Sequence, residues 1–125
     1  MFCVYILYSK GKSYIGMTND FLKRWMQHNR YISGGAKYTT RHCSYWEPIC
    51  IIDGFKNKSE AMQCEWKLKR VNGYYNRLKN LSKLYENTDK WTNKSPFIKD
   101  QNLTIYILNQ YKHLFNYHTK ELFWF

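Results

Sequence analysis

Glu65 stands in the stretch EAMQCEWKLKR, residues 60 to 70. A helical advance of about 100° per residue gathers Ala61, Cys64 and Leu68 there into one apolar stripe, which Met62 and Trp66 widen on one side. Glu65 falls inside that stripe, whereas Glu60, Gln63, Lys67 and Arg70 take the opposite face. An unpaired carboxylate on a core-facing side costs several kcal/mol even after relaxation, so a positive group must meet it. On helix geometry alone a bound cation and a salt bridge from Arg24 or Lys69 serve equally well. A second pair, Arg24 and His28, lies four residues apart on one flank of another helix. A guanidinium grips phosphate with a planar fork that lysine does not reproduce. The bland alternatives are a solvated helix arginine and a histidine N–H donating to a nearby carbonyl.

The elements that position these groups follow from pattern. FCVYILY, residues 2 to 8, is rich in aromatic and β-branched residues and reads as a buried strand. SKGK makes a turn at Gly11, in a loop slightly longer than the tightest hairpins, and SYIGM returns as a second strand. Tyr5 and Tyr14 therefore lie on paired strands. TND offers N-caps for a helix from Phe21, with Phe21, Leu22, Trp25, Met26 and Ile32 as its apolar face. SGGAKYTTRHCS breaks that helix into a flexible basic loop. YWEPICIIDGF is a third strand, and Pro48 places its start at a sheet edge or bulge. Asn57 and Glu60 form a partial capping pair for the Glu65 helix. YYNRLKNLSKLYE is amphipathic through Tyr74, Leu78, Leu81 and Tyr85, residues 87 to 101 read as polar loop, and LTIYILNQYKHLFNYHTKELFWF is ambiguous, with LTIYIL open to a strand and the rest suited to a short helix. At the chain's end, Leu114, Phe115, Tyr117 and Leu122 suit a tail folded back on the core. The order is β-β-α-β-α around a small, three-stranded, mainly antiparallel sheet. That is an α+β chain with a core over residues 1–72 and a helical or mixed extension over 73–125 packed upon it.

The 125 residues suffice for one domain, and 44% hydrophobic content excludes a disordered chain. A formal net charge of +11, with 12 Tyr and 5 Trp, points to a polyanionic partner, nucleic acid above all. No apolar run approaches the roughly 18 residues of a membrane span and no signal peptide is visible, so the expectation is an intracellular protein, nuclear or cytoplasmic, with no membrane contact. Cys3, Cys43, Cys50 and Cys64 form no C-x-x-C pair, which speaks against zinc and for small buried residues in a reducing compartment.

CVYIL, then Tyr14-Ile15-Gly16 in YIGMTNDFLKRWMQHN, with Tyr14 nine positions after Tyr5, resembles the GIY-YIG nuclease family. Cys3-Val4-Tyr5 is a degenerate first motif that keeps its tyrosine. The second motif is intact. Together CVYIL, YIGMT, QHN, GGAKYTT, WEPICIIDGF and EWKLKR look like the nuclease domain of the SLX-type structure-specific endonucleases. The likeness covers residues 2 to about 72 well. Cellular members carry a C-terminal, zinc-binding RING-like domain as a docking platform, and no paired Cys/His spacing for it is visible here.

The resemblance implies a metal-dependent endonuclease that hydrolyses phosphodiester bonds in branched or flapped DNA. It assigns Tyr5, Tyr14, Arg24, His28 and Glu65 to catalysis, with Glu65 as the single carboxylate ligand of Mg²⁺ or Mn²⁺. It favours Tyr5 as base, His28 relaying the proton and Tyr14 positioning the phosphate, although which tyrosine activates water stays open. Lys23, Arg30, Lys37, Arg41, Lys69 and Arg77 are candidates for a DNA track. Trp25, Trp46 and Trp66 read as core. A homing or repair-type nuclease of the same family is an alternative, but no base-reading appendage is visible. A catalytically silent DNA-binding module is another, but all five chemical positions are present. With no RING-like platform in view, neither zinc nor an obligate protein partner is expected.

Overall fold

The first strand sets the geometry. β1 (Phe2–Ser9) is buried on both faces, which is why its apolar run is nearly continuous. It pairs antiparallel with β2 (Lys12–Thr18) on one side and with β3 (Glu47–Phe55) on the other. The computed structural model describes residues 1–41, 45–87 and 89–124. The β1–β2 turn is tighter than the sequence suggests. Ser9 pairs with Lys12, leaving only Lys10 (φ 47°) and Gly11 (φ 81°) between the strands. Two consecutive positive φ values match the right-handed twist of a two-residue hairpin.

Pro48 falls at the expected irregularity. Ile6 pairs with Cys50 and Leu7 with Pro48, so Ile49 is the extra residue of a bulge in β3. Beyond the three expected strands the sheet gains two more. β4 (Thr104–Ile107) pairs antiparallel with β3, and β5 (Lys120–Glu121) lies parallel to β4, giving the order β2-β1-β3-β4-β5. The α+β class stands. The extra strands come from residues 73–125, where Ile105 and Ile107 supply the alternation that buries one face.

Helices cover both faces. α1 (Phe21–His28) is capped by the Asp20 side chain, which accepts from the Lys23 N–H. It ends earlier than the apolar pattern suggests, because Asn29 caps it and Arg30 turns left-handed at φ 62°. Leu22 and Ile32 are accordingly exposed rather than part of its buried face. The expected flexible loop instead contains a short helix, α2 (Lys37–Arg41), and the loop's last residues, His42, Cys43 and Ser44, lie outside the described residues. α3 (Lys58–Leu68) starts at Asn57, whose side chain accepts from the Glu60 N–H at 2.9 Å. α4 (Tyr74–Glu86) buries Leu78, Leu81 and Leu84. Two 3-10 turns, Ile98–Asp100 and Asn109–Leu114, follow.

The alternation of β1 divides the interior. Val4 and Ile6 join Ile15, Ile52, Ala61, Cys64, Leu68 and Leu78 in the larger core under α3 and α4. Cys3, Tyr5, Leu7 and Trp46 form the smaller cluster on the other face, against Phe21 and Trp25 of α1. The segment expected to be polar loop contributes a fully buried Trp91, whose ring is tilted against Phe55 and edge-on to Tyr85. Phe115 and Leu122 are buried, and Leu114 and Tyr117 pack on the larger core. Cys3, Cys50 and Cys64 are free and buried. No described helix is long and apolar enough to cross a membrane.

Because β4 completes the same core as β1 and β3, truncating Ile105 should weaken the whole fold. Ile105→Ala is expected to cost about 2 to 5 kcal/mol with circular dichroism and tryptophan fluorescence still reporting one coincident transition. Two separated transitions would show that residues 73–125 fold independently.

Candidate active site

The smaller cluster gathers Tyr5 and Tyr14, both expected site residues. Tyr5 and Gly16 face each other across the β1–β2 ladder. A Cβ on Gly16 would overlap the Tyr5 phenol, so the glycine of the second motif makes room for the tyrosine of the first. Phe21 packs edge-on against the Tyr5 ring. The Tyr5 hydroxyl then meets His28 Nε2 at 2.8 Å.

The other ring nitrogen decides the direction of that bond. His28 Nδ1 is 2.8 Å from Thr39 Oγ1, and Thr39 Oγ1 donates its single proton to the Ala36 carbonyl at 3.1 Å. With that proton committed, Oγ1 accepts from Nδ1–H, so Nε2 carries the lone pair and accepts from the Tyr5 O–H. Tyr5, His28, Thr39 and Ala36 O form one buried chain with its donors all aimed the same way. Thr39 was not marked out by the sequence. Its signal was the short helix itself, whose N-terminal turn fixes the hydroxyl on Ala36 O.

That helix is anchored by Trp46, which is fully buried and donates Nε1–H to the Thr39 carbonyl at 3.2 Å. Asn29 grips the backbone of Trp46 in both directions, accepting its N–H at 2.7 Å and donating to its carbonyl at 3.0 Å. Trp25 donates to the same carbonyl at 2.7 Å. Trp25 and Trp46 are thus structural, as expected. Trp66 is not; its ring is 49% exposed on the outer face of α3, and Met62 beside it is exposed too.

Electrostatics keep the chain neutral. Burial holds the Tyr5 phenol well above its ordinary pKa, with Tyr14 adding to the effect and Arg24 opposing it. Tyr14 is raised by burial as well, against the nearby Arg24 and helped by Glu65. Burial, reinforced by Arg24, pushes His28 down to about 4. Tyr14 packs on His28 with ring centroids 4.9 Å apart. One nitrogen of the Arg24 guanidinium donates to Gln27 Oε1 at 2.9 Å and to the Gly34 carbonyl at 2.8 Å. These bonds hold it beside both phenols.

Glu65 arrives from the opposite face. α3 packs on β1 and β2 under the larger core, and Glu65 bears electrostatically on Tyr14 of the edge strand β2. It is not deeply buried: its side chain is 23% exposed and lies 3.7 Å from Lys69 Nζ. The stripe of α3 that faces inward comprises Glu60, Ala61, Cys64 and Leu68, one step away from the arc through Met62 and Trp66. A single, partly exposed carboxylate fits a hard divalent ion that keeps most of its waters. Among the described residues no group of three His, Cys, Asp or Glu side chains is gathered to form a closed metal cage.

The track candidates divide. Lys23, Arg30, Lys37 and Arg41 are all exposed on the α1–α2 side. Lys69 is paired with Glu65. Arg77 is committed elsewhere: it donates to the Val71 carbonyl at 2.7 Å and to Ser13 Oγ at 2.8 Å, tying α4 to β2. That placement makes Arg77 a brace, not a free phosphate contact.

The model of the GIY-YIG catalytic domain matches residues 1–80. The chain belongs to the GIY-YIG family. Among its curated relatives, a protein of Talaromyces marneffei named structure-specific endonuclease subunit slx1 is 43% identical over 74 residues, 56% of this chain and 19% of that protein. The protein of that name in Schizosaccharomyces pombe is 41% identical over 70 residues, covering 52% of this chain and 26% of its own length. A Monosiga brevicollis SLX1 homolog is 45% identical over 56 residues, 45% of this chain and 13% of its own. The match thus spans 13 to 26% of the length of these relatives. All are named as subunits, which overturns the expectation that a member of this group needs no protein partner. Members of the GIY-YIG family generally depend on a divalent metal.

The depressed His28 pKa has a consequence for stability. Unfolded, His28 titrates near 6.5; folded, near 4, so between those values the unfolded chain binds the extra proton. Unfolding free energy should hold above pH 6.5 and fall as pH drops through that window, by on the order of 3 kcal/mol from this group. Denaturant titrations from pH 8 to 4 check it, with His28→Asn expected to remove this contribution. A wild-type profile superimposable on that of His28→Asn would contradict the buried neutral imidazole.

Proposed function

We propose that this chain is a divalent-metal-dependent endonuclease that nicks branched or flapped DNA, working as one subunit beside a second protein. The buried chain from Tyr5 through His28 to Thr39, next to Arg24 and within reach of Glu65, carries the reading. Solitary tyrosines on strands pack their rings; here a phenol, otherwise sealed in the smaller core, has its proton aimed at an imidazole lone pair. The names of the relatives supply the substrate class and the word subunit.

In this reading Tyr5 is the base that activates water. Its raised pKa rules out a standing phenolate at neutral pH, so Tyr5 passes its own proton to His28 Nε2 as its oxygen takes one from the attacking water. The product is an imidazolium whose Nδ1–H stays on Thr39 Oγ1. His28 is a poor proton acceptor in the empty site because burial and Arg24 disfavour its charge. An anionic phosphate seated on Arg24 offsets both effects and raises its basicity when substrate is present. Tyr14 lines the phosphate position. Glu65 would hold Mg²⁺ or Mn²⁺, which when bound neutralises phosphate charge and stabilises the leaving oxygen. Lys23, Arg30, Lys37 and Arg41 would follow the backbone of the duplex on the α1–α2 side.

The test pairs cleavage with metal binding. Supplied with its partner subunit and Mg²⁺, the wild-type chain should nick flapped and four-way DNA in preference to linear duplex. Glu65→Gln is expected to lose cleavage by about 10²-fold or more, since the metal supplies several kcal/mol of transition-state stabilisation. It should also lose Mn²⁺ binding read by electron paramagnetic resonance on the DNA complex, while DNA affinity stays near wild type. Wild-type Mn²⁺ affinity in Glu65→Gln would defeat the metal assignment, and equal cutting of linear duplex would defeat the substrate assignment.

A further inference from the structure

The outer face of α3 carries a second feature that this mechanism does not use. Met62 and Trp66 face outward and, with Lys58, Lys67, Arg70 and Lys94, line an open groove between α3 and residues 91–94. Glu65 and Lys69 are among its lining residues, so the groove shares Glu65 with the candidate active site. Exposed indoles of this size are expensive to leave in water, and this one is not idle surface. The Arg70 guanidinium carbon sits 4.3 Å from the Trp66 ring centroid, and Arg70 Nε donates to the Trp66 carbonyl at 3.3 Å. A flat cation is thereby held in place on a flat ring.

We propose that this groove binds the unpaired DNA strand of a branched substrate, with a base stacked on the Arg70–Trp66 platform and phosphates running along the lysines. The inference rests on the nuclease reading and extends it to the arm of the substrate. Charge complementarity selects a polyanion: five Lys and Arg side chains line the groove against Glu65, the one carboxylate, itself paired with Lys69. The platform selects among polyanions. Bases stack on aromatic rings and on guanidinium planes, whereas an acidic peptide presents no π face to either. A duplex buries its bases' faces in its own stack, so an unpaired arm is the occupant that uses both features. The position also has a mechanical logic. Duplex held on the α1–α2 side and an arm laid along α3 would meet at the edge of β2, where the Tyr5 chain and Glu65 converge, so the junction itself would be delivered to the site.

Binding measured without metal separates this proposal from the chemistry. Flapped DNA with a thymidine arm, the same flap with abasic sites in the arm, and duplex with no arm are compared in a chelator at fixed salt by fluorescence anisotropy. The wild type should prefer the thymidine arm over the abasic arm by about 10-fold, the scale of one stacked base. Trp66→Ala, a change on an exposed side chain, should bind both arms alike and at the wild type's abasic affinity. Its affinity for armless duplex should match the wild type within about twofold, since backbone contacts made elsewhere are untouched. A Trp66→Ala protein that keeps the thymidine preference would overturn the proposal. So would polyglutamate that displaces the thymidine arm from wild type but not from Trp66→Ala, because the groove would then belong to an acidic polypeptide. An intact arm preference in a complex that fails to cut when Mg²⁺ and the partner subunit are added supports the groove and counts against the nuclease reading alone.

Discussion

The hydrogen bond between the Tyr5 hydroxyl and His28 Nε2 is the contact on which the arrangement of the site depends. It spans two elements, β1 and the last residue of α1, and it needs both to be placed to a fraction of an ångström. Gly16 supplies the space for the phenol, since any side chain there would occupy the volume of the Tyr5 ring. Asp20 fixes where α1 begins, and Asn29 fixes where it stops, so that His28 arrives at the end of the helix facing inward. Thr39 then settles which nitrogen holds the proton. Without that hydroxyl, a neutral imidazole would be free to donate Nε2–H to the Tyr5 oxygen, and the Tyr5 proton would lose its acceptor on His28.

The same constraint explains why the smaller core is aromatic. A proton chain in low dielectric keeps its groups neutral, and burial by Phe21, Trp25, Tyr14 and Trp46 provides that dielectric. It also explains the division of labour across the sheet. In the proposed mechanism Tyr5 and His28, buried on the α1 face, move the proton, while Glu65 is offered from α3 on the other face and is partly exposed to water. A carboxylate inside the aromatic cluster would have raised its own pKa and lost its charge. At the rim Glu65 lies alongside Lys69.

Much of this was legible in the chain. Tyr5, Tyr14 and Gly16 could be assigned to paired strands because the β1 and β2 patterns are strong, and the i,i+4 spacing of Arg24 and His28 put them on one flank. What stayed hidden depended on tertiary contacts. α2 is only five residues long, too short to announce itself by periodicity, and its existence rests on Trp46 and Asn29 holding it from outside. Thr39 therefore looked like one polar residue among several in a loop. The rotation of α3 was misread by one step, because Ala61, Cys64 and Leu68 fit a stripe widened toward either Glu60 or Met62. The capped first turn buries Glu60 and turns Met62 and Trp66 outward. β4 was ambiguous for a related reason: LTIYIL alternates like a strand only once β3 offers it an edge.

The central claim is that His28 is neutral, protonated on Nδ1, and turned so that Nε2 receives the Tyr5 proton. Nitrogen-15 NMR of histidine-labelled protein at neutral pH reads this directly, because protonated and lone-pair ring nitrogens differ widely in chemical shift. The account predicts a pyrrole-type Nδ1 and a pyridine-type Nε2 for His28, with Thr39→Val mixing the two tautomers and Thr39→Ser preserving the single one. A wild-type spectrum showing Nε2–H, or an imidazolium at pH 7, would contradict it.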